Sequence, residues 1–527
     1  MQKKENWGTP FGAILAVTGS AVGLGNYLRF PGQAALYGGG AFMIPYITAF
    51  FLLGLPIAWA EWTIGRYAGI RGYNSAPGIF RCITGSRKMA YAGSICVSLT
   101  TLIFAYYVLV EGWCLLYAFR YLCGRMSAAD TTQTFAAVSG VQTDGALFQN
   151  GLLNPTLLCM LVCFVFNFFL IYRGVVKGIE KFCFIAMPAL LICSVIILIR
   201  VLTLGNPTGT EGQSVLNGLG YMWNPSQPGK TLIQTLSNPQ AWIAAAGQIF
   251  FSLSLGMGCI CTYASYSKRN DDIALSSLTA AVGNEFCEVV LAGLTIVPAA
   301  VIFLGASFFQ ENLNSSFSIG FNALPNVFAL MPFGQFFGFL FFFLLFLAAT
   351  TSSISMLQPG IALLEEGLKL SRKSSTAVMG VITFAGAVFT AYFTHNLTAL
   401  DTLDFWCANI LIFLMAGVQI VVFGWILGIG KGMEELERGA QIKIPAFYRF
   451  VMKYITPLYL IIVFLAWAYL KLPDYFGIIA GNAVVQMSLA YIAFVMIFNF
   501  FVTSQSLVRW EKDEKLEHGQ NVADGEL

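Results

Sequence analysis

Charge is what this chain has least of. Only 10% of its 527 residues are Asp, Glu, Lys or Arg, against about 25% in an ordinary soluble domain, so water is not the solvent for most of it. Histidine is nearly missing. The two present, His395 and His518, cannot build a His-rich metal site or a catalytic dyad in a common pocket. No G-x-x-x-x-G-K-[ST] stretch occurs, which removes nucleotide hydrolysis on such a loop as an energy source. Net charge is only +3, and no nucleic acid partner is expected. Cysteine is not scarce, but most of the 12 lie inside apolar runs, as Cys96, Cys163 and Cys287 do. There they act as small apolar residues. Cys259 and Cys261 lack the further Cys or His that a metal site needs.

What is abundant is apolar sequence: 57% of residues are hydrophobic and mean hydropathy is +0.72. Runs of roughly 20 residues, long enough to cross about 30 Å of hydrocarbon as helices, recur over 9–36, 40–70, 88–123, 154–172, 175–202, 239–268, 272–304, 334–368, 375–394, 398–425, 446–470 and 480–508. The reading is an all-α integral membrane protein of twelve spans, with the lipid bilayer as its partner. The first run is no cleavable signal, being too long and interrupted by glycine and Arg29. Basic residues crowd one set of connections (Lys3, Lys4, Arg71, Arg87, Lys88, Lys177, Lys268, Arg269, Arg372, Lys431, Arg509), and the other set holds little beyond Arg125, Lys230 and Lys471. By the positive-inside rule both termini are cytoplasmic. The resulting division is a cytoplasmic start at 1–8, five spans in 9–202, an outer loop at 203–238, five spans in 239–425, a cytoplasmic loop at 426–445, two spans in 446–508 and a cytoplasmic tail at 509–527. The loop 425–445, with Glu434, Glu435 and Glu437, reads as a helix lying at the inner surface.

Two spans carry glycine pairs at mid-depth: Gly23-Leu24-Gly25 in span 1 and Gly256-Met257-Gly258 in span 6. Glycine is common in membrane helices for close packing, and a single pair would be read that way. Two pairs five spans apart, beside polar residues, point instead to an inverted repeat with a site at the bilayer midplane. Amides and carbonyls freed by such breaks need partners. Carbonyls around Gly19, Ala21 and Val22 suit a small hard cation, and the half-helix N-termini suit a carboxylate. Asn26, Ser252 and Asn284 add side-chain oxygens, and Thr351-Ser352-Ser353 forms a hydroxyl cluster in span 8. The plain alternative for those hydroxyls is bonding to their own helix carbonyls.

Ionisable residues inside a membrane are costly and mark candidates for function. Arg29 near the outer end of span 1 can pair with Asp404 in span 10, as a gate or as a permanent staple. Glu61, Glu111 and Glu285 are candidate acceptors for amides exposed at the breaks. Glu288 lies four residues after Asn284, on the same face of span 7.

Several segments make a resemblance specific: GSAVGLGNYLRFP from Gly19, GGGAFMIPY from Gly38, EWTIGRY from Glu61, KGIEKF from Lys177, WIAAAGQIFFSLSLGMG from Trp242, NEFCE from Asn284, TSSISMLQP from Thr351 and LDFW from Leu403. In this order they resemble the neurotransmitter:sodium symporters, nearest the bacterial leucine-transporter type, from about Trp7 to Val508. The resemblance implies a leucine-transporter fold, an inverted 5+5 repeat with spans 1 and 6 broken, followed by two further helices. It implies two Na+ ions: one on the Ala21 carbonyl, Asn26, Ser252, Asn284 and the substrate carboxylate, the other on carbonyls of Gly19, Val22 and Ala348 with the hydroxyls of Thr351 and Ser352. The substrate would lie against Ala21, Gly23, Leu24, Gly25 and Ser252, with Tyr107 donating to its carboxylate. Its side chain would face Ile103, Phe251, Ser254, Met257, Ser353 and Met356.

That lining implies a hydrophobic L-amino acid, aromatic ones included, because flexible Met thioethers yield to large side chains. Monoamine transporters carry Asp at the position of Gly23, so an amine without a carboxylate is not expected here. Chloride-dependent members usually carry Ser where Glu288 stands; the fixed carboxylate implies no chloride requirement and allows proton counter-movement. The family's inner gate pairs Arg with Asp, and here Lys4 and Glu366 stand in, keeping charge but losing the guanidinium fork. A homodimer is left open. A channel would want a continuous polar path, and polar residues here gather at mid-depth and near the two gates. A sensor that binds without transporting is the other alternative to symport.

Overall fold

In lipid each backbone amide must be satisfied within its own segment, so apolar runs of this length become helices. The computed structural model describes residues 5–126, 131–140, 143–145, 147–149, 152–226, 231–311 and 319–523; Lys3, Lys4 and Lys230 lie outside them. Among the described residues ten helices are long and apolar enough to cross a membrane: Gly39–Gly69, Arg87–Leu122, Pro155–Tyr172, Val175–Leu202, Ile273–Ala306, Gly334–Leu368, Arg372–Tyr392, His395–Ile426, Phe447–Ile479 and Ala483–Asp513. They coincide with the expected spans 2 to 5 and 7 to 12. A bent pair, Pro10–Ala21 with Gly25–Leu36, makes an eleventh. The expected span 6 is two short helices, Pro239–Ser252 and Cys259–Ala264, neither long enough to cross alone.

Spans 3 and 8 form the centre. Their apolar windows are 94% and 83% buried inside the protein, against 17% and 28% for spans 11 and 12. The last two spans therefore face outward, and Leu458, Ile461, Ile462 and Leu465 form an exposed stripe at helical spacing. Apart from one antiparallel pair of two-residue strands, Phe148–Gln149 with Leu152–Leu153, the described residues carry no sheet.

The connections hold more helix than their polar sequence announces, including Ala76–Thr84 and Val215–Trp223. The helical reading of 425–445 corresponds to Ile429–Leu436, but this helix does not lie free at the surface. Arg66, fully buried at the end of span 2, donates to Glu435 Oε1 at 3.0 Å and to the carbonyls of Asp271 at 2.6 Å and Arg438 at 3.1 Å. A buried guanidinium must spend its donors, and this connection supplies the acceptors.

At one end of the molecule the N-terminal segment is packed shut. Trp7 is buried, donates from Nε1 to the Tyr263 carbonyl at 2.8 Å and stands edge-on to Tyr263 and Tyr266. Glu180 in span 5 accepts from the amides of Gly8 and Thr9 at 2.8 and 3.1 Å and so caps the start of span 1. At the other end, near Arg29, the packing opens.

Candidate functional site

Span 1 leaves helical geometry at Val22, whose φ and ψ are −71° and 95°, and resumes at Gly25 in a wide turn through Arg29. Its halves meet at 44°. The freed amides find partners at once: Gly23 N donates to Asn26 Oδ1 at 2.8 Å and Leu24 N to the Tyr107 hydroxyl at 3.2 Å. In span 6 the break runs from Leu253 to Gly258. Ser254, Gly256 and Gly258 take positive φ of 54°, 78° and 82°, which glycine tolerates and Ser rarely does. Ser254 Oγ donates to the Ser20 carbonyl at 3.0 Å, tying the two breaks together, and Gly256 N donates to Glu61 Oε1 at 2.6 Å.

Of the three carboxylates considered as acceptors for break amides, only Glu61 plays that part. Glu285 accepts from the Tyr46 hydroxyl at 2.5 Å. Glu111 accepts from Asn167, Thr350 and Ser353, each at 2.8 Å. Both lie where side-chain donors of neighbouring spans reach them first, a pairing that sequence spacing does not reveal.

Asn26, Ser252 and Asn284 converge, all buried. Asn26 Nδ2 donates to Asn284 Oδ1 at 2.9 Å and to Glu288 Oε2 at 3.0 Å; Asn284 Nδ2 donates to Ser252 Oγ at 2.5 Å. Glu288 also accepts from Ser252 Oγ and, at 2.7 Å, from Gln248. Three spans thus place amide, hydroxyl and carboxylate oxygens around one point, a donor set suited to a hard monovalent cation. Among the described residues no group of three or more His, Cys, Asp or Glu could hold a transition metal. On the other side of span 1, Ser352 Oγ lies 3.2 Å from the Ser20 carbonyl and 3.5 Å from that of Gly19. Thr351 Oγ1 donates back to its own helix carbonyls, Ala348 at 3.0 Å and Leu347 at 3.2 Å, the plain bonding expected of a hydroxyl in a membrane helix, although Ala348 and Thr351 are both among the expected ligands. Val22 is buried at the break itself.

Gly23 sits hard against this wall. A Cβ there would lie 2.8 Å from Ser352 Oγ and 2.9 Å from the Tyr107 hydroxyl, and one on Gly25 would lie 2.6 Å from the Phe251 ring. Toward the Arg29 end opens a cavity of about 160 Å³ lined by Leu24, Gly25, Leu28, Arg29, Tyr106, Tyr107, Val110, Phe251, Leu400, Asp401, Asp404 and Asn409. Leu24, Gly25, Tyr107 and Phe251 thus form its floor. Ile103, Ser254, Met257, Ser353 and Met356 are buried to 5% exposure or less and lie outside its lining.

Arg29 and Asp404 line this cavity together without an ion pair. Arg29 stands 4.9 Å over the Phe251 ring, and Asp404 accepts from the Tyr106 hydroxyl at 2.7 Å. A permanent staple is not what the structure holds. At the opposite end, Glu366 accepts from the amides of Asn74 and Ser75 at 2.6 and 2.8 Å, at the entry to helix Ala76–Thr84; its expected partner Lys4 lies outside the described residues. Sequence reasoning missed Tyr106, Asp401 and Asn409 at the cavity, and Trp7 and Glu180 at the closed end. The Tyr106-Tyr107 pair, with successive residues about 100° apart on span 3, was the one available hint.

A chain of this architecture, apolar helices around two opposed breaks lined by buried oxygens, is a multi-pass membrane transporter. The model of the sodium:neurotransmitter symporter family matches residues 4–147 and 141–507, and the chain belongs to that family. It is 30% identical over 480 residues to the sodium-dependent transporter YhdH of Bacillus subtilis, covering 88% of this chain and 98% of that one. A sodium-dependent transporter of Methanocaldococcus jannaschii is 27% identical over 473 residues, 87% of this chain and 89% of its own. The crystal structure of MhsT in complex with L-phenylalanine superposes with a TM-score of 0.74 at 28% identity, covering 88% of this chain and all of that one. The fold is therefore that of the MhsT structure, and the family to which the chain belongs is one of sodium symporters.

Proposed function

We propose that this protein imports hydrophobic L-amino acids, aromatic ones among them, by sodium-coupled symport through alternating access. The observation that carries the reading is the fit at Gly23. With the Tyr107 and Ser352 hydroxyls within 3 Å of any Cβ placed there, the position offers no carboxylate to an ammonium group, and the donors around it suit a substrate carboxylate. Ile103, Met257 and Met356 supply an apolar surround. That the related MhsT was crystallised with L-phenylalanine favours the same class of substrate.

Two Na+ ions travel with the amino acid, one held by Asn26, Ser252, Asn284 and the Ala21 carbonyl, the other by Gly19, Val22, Ala348, Thr351 and Ser352. Glu288, tied to three of the surrounding side chains, supplies fixed negative charge, and chloride is not required. The chain lies in the cell inner membrane with both termini cytoplasmic and twelve spans, the two short helices around Gly256 crossing together as the sixth. Arg29 and Asp404 close over a bound substrate from outside, and the packed Trp7 end opens to release it.

The test is uptake in reconstituted vesicles of radiolabelled leucine, tyrosine and tryptophan under an inward sodium gradient, with potassium or choline as replacements. Accumulation with sodium alone, and without regard to chloride, is the expected result. Sodium-dependent binding with no accumulation would make the chain a sensor and overturn the transport reading.

A further inference from the structure

Glu111 is a buried carboxylate of the span core that neither break uses, and we infer that it is a positioning residue: by holding Thr350 and Ser353 it fixes the rotation of span 8 that presents Thr351 and Ser352 to span 1. The inference rests on the symport reading above.

Glu111 is on span 3, four residues after Tyr107, so the two share one face about a turn apart. Tyr107 reaches the break, where it accepts from Leu24 N. Glu111 reaches sideways. Its Oε2 accepts from Ser353 Oγ and Asn167 Nδ2 and its Oε1 from Thr350 Oγ1, each at 2.8 Å, the Thr350 hydroxyl being shared with its own Phe346 carbonyl at 2.8 Å. All four residues are 0% exposed. Thr350 and Ser353 are three apart and share a face of span 8, whereas Thr351 and Ser352 between them point about 100° and 200° further round. Clamping the 350/353 face against span 3 therefore turns the 351/352 face toward Gly19, Ser20 and Gly23.

The consequence is visible at Gly23, where the Tyr107 and Ser352 hydroxyls arrive at nearly equal distance from a would-be Cβ, 2.9 and 2.8 Å. One belongs to span 3 and the other to span 8, and Glu111 is the bond that sets their mutual height. Asn167 extends the tie to span 4. The same geometry reassigns Ser353: its hydroxyl is spent on Glu111 and does not face a substrate. Glu111 touches neither substrate nor sodium, and acts through span 8.

A plain stabilising tie would lower thermal stability or the amount of folded protein and leave sodium affinity alone; a positioning residue moves affinity. The experiment measures sodium-dependent binding of radiolabelled leucine to purified full-length protein, with thermal stability in parallel, for wild type, Glu111→Gln, Ser353→Ala and the double variant. Glu111→Gln keeps the shape but replaces one acceptor oxygen by a donor. It is expected to raise the sodium concentration for half-maximal binding about tenfold, the scale of one charge-assisted hydrogen bond. Ser353→Ala should give a smaller shift of the same sign, and the double variant should be no worse than Glu111→Gln, because both changes cut one tie.

Unaltered sodium dependence in Glu111→Gln, or effects that multiply in the double variant, would overturn the assignment. Should Glu111→Gln fail to fold, Ser353→Ala decides alone: an unchanged sodium midpoint refutes. Wild-type protein that binds no leucine, tyrosine or tryptophan under any sodium concentration would instead refute the substrate reading, which separates the two failures.

Discussion

If Glu288 supplies the fixed charge proposed for it, replacing it by Ser should make uptake depend on chloride. The carboxylate stands one hydrogen bond behind Asn26 and Ser252, so a sodium ion held by those side chains lies about 5 Å from it. At an effective dielectric of about 20, a unit charge at that distance contributes roughly 3 kcal/mol, about a hundredfold in sodium affinity. Glu288→Ser removes that charge and takes one acceptor from each of the Asn26 and Gln248 amides, which keep Asn284 Oδ1 and the Gly25 carbonyl. Those donors, with the Tyr46 hydroxyl nearby, are what a halide needs. Uptake by the variant in gluconate buffer should therefore fall at least tenfold and recover when chloride replaces gluconate, while wild type is equally active in both. A wild type that stops without chloride, or a variant equally active in gluconate and chloride at subsaturating sodium, would refute the role given to Glu288.

Asn26→Ala removes a side chain that accepts from Gly23 N and donates to both Asn284 and Glu288; sodium-dependent binding should drop beyond detection, and normal binding by isothermal titration would remove Asn26 from the ion site. Met257→Phe puts a rigid ring within the span 6 break, and competition assays should show preference moving from aromatic toward smaller side chains. Asp404→Asn keeps the Tyr106 contact but cannot pair with Arg29, so half-saturation for substrate should rise several-fold with little loss of thermal stability. Trp7→Ala deletes a buried ring and its bond to Tyr263, a loss of about 3–5 kcal/mol from the closed end. Cysteine accessibility at positions near Tyr266 should then increase, which thiol labelling would read.

The span pattern was legible because lipid imposes a simple rule on composition, and ten of the twelve expected runs appear as single long helices close to their expected bounds. Span 6 was the harder case. Its residues read as one apolar run, yet Ser254, Gly256 and Gly258 at positive φ break it into two helices, and only glycine spacing hinted at this. At the site, the residue types in spans 1, 6, 7 and 8 gave the oxygen donors. Which donor meets which acceptor was not legible: Glu61, Glu111 and Glu285 look alike along the chain, and only the packing of neighbouring spans gives each a different partner.

The sequence by itself determined the solvent, the helical fold, the breaks and the chemistry of the donors, because hydrophobicity, glycine placement and side-chain oxygens are local properties. The tertiary structure alone decided that Arg29 stands over Phe251 and apart from Asp404, that Ser353 answers to Glu111, and that Arg66 is buried against Glu435. Each of these pairs lies hundreds of positions apart along the chain. Their distances follow from how rigid helices pack against one another, which no stretch of the chain encodes alone.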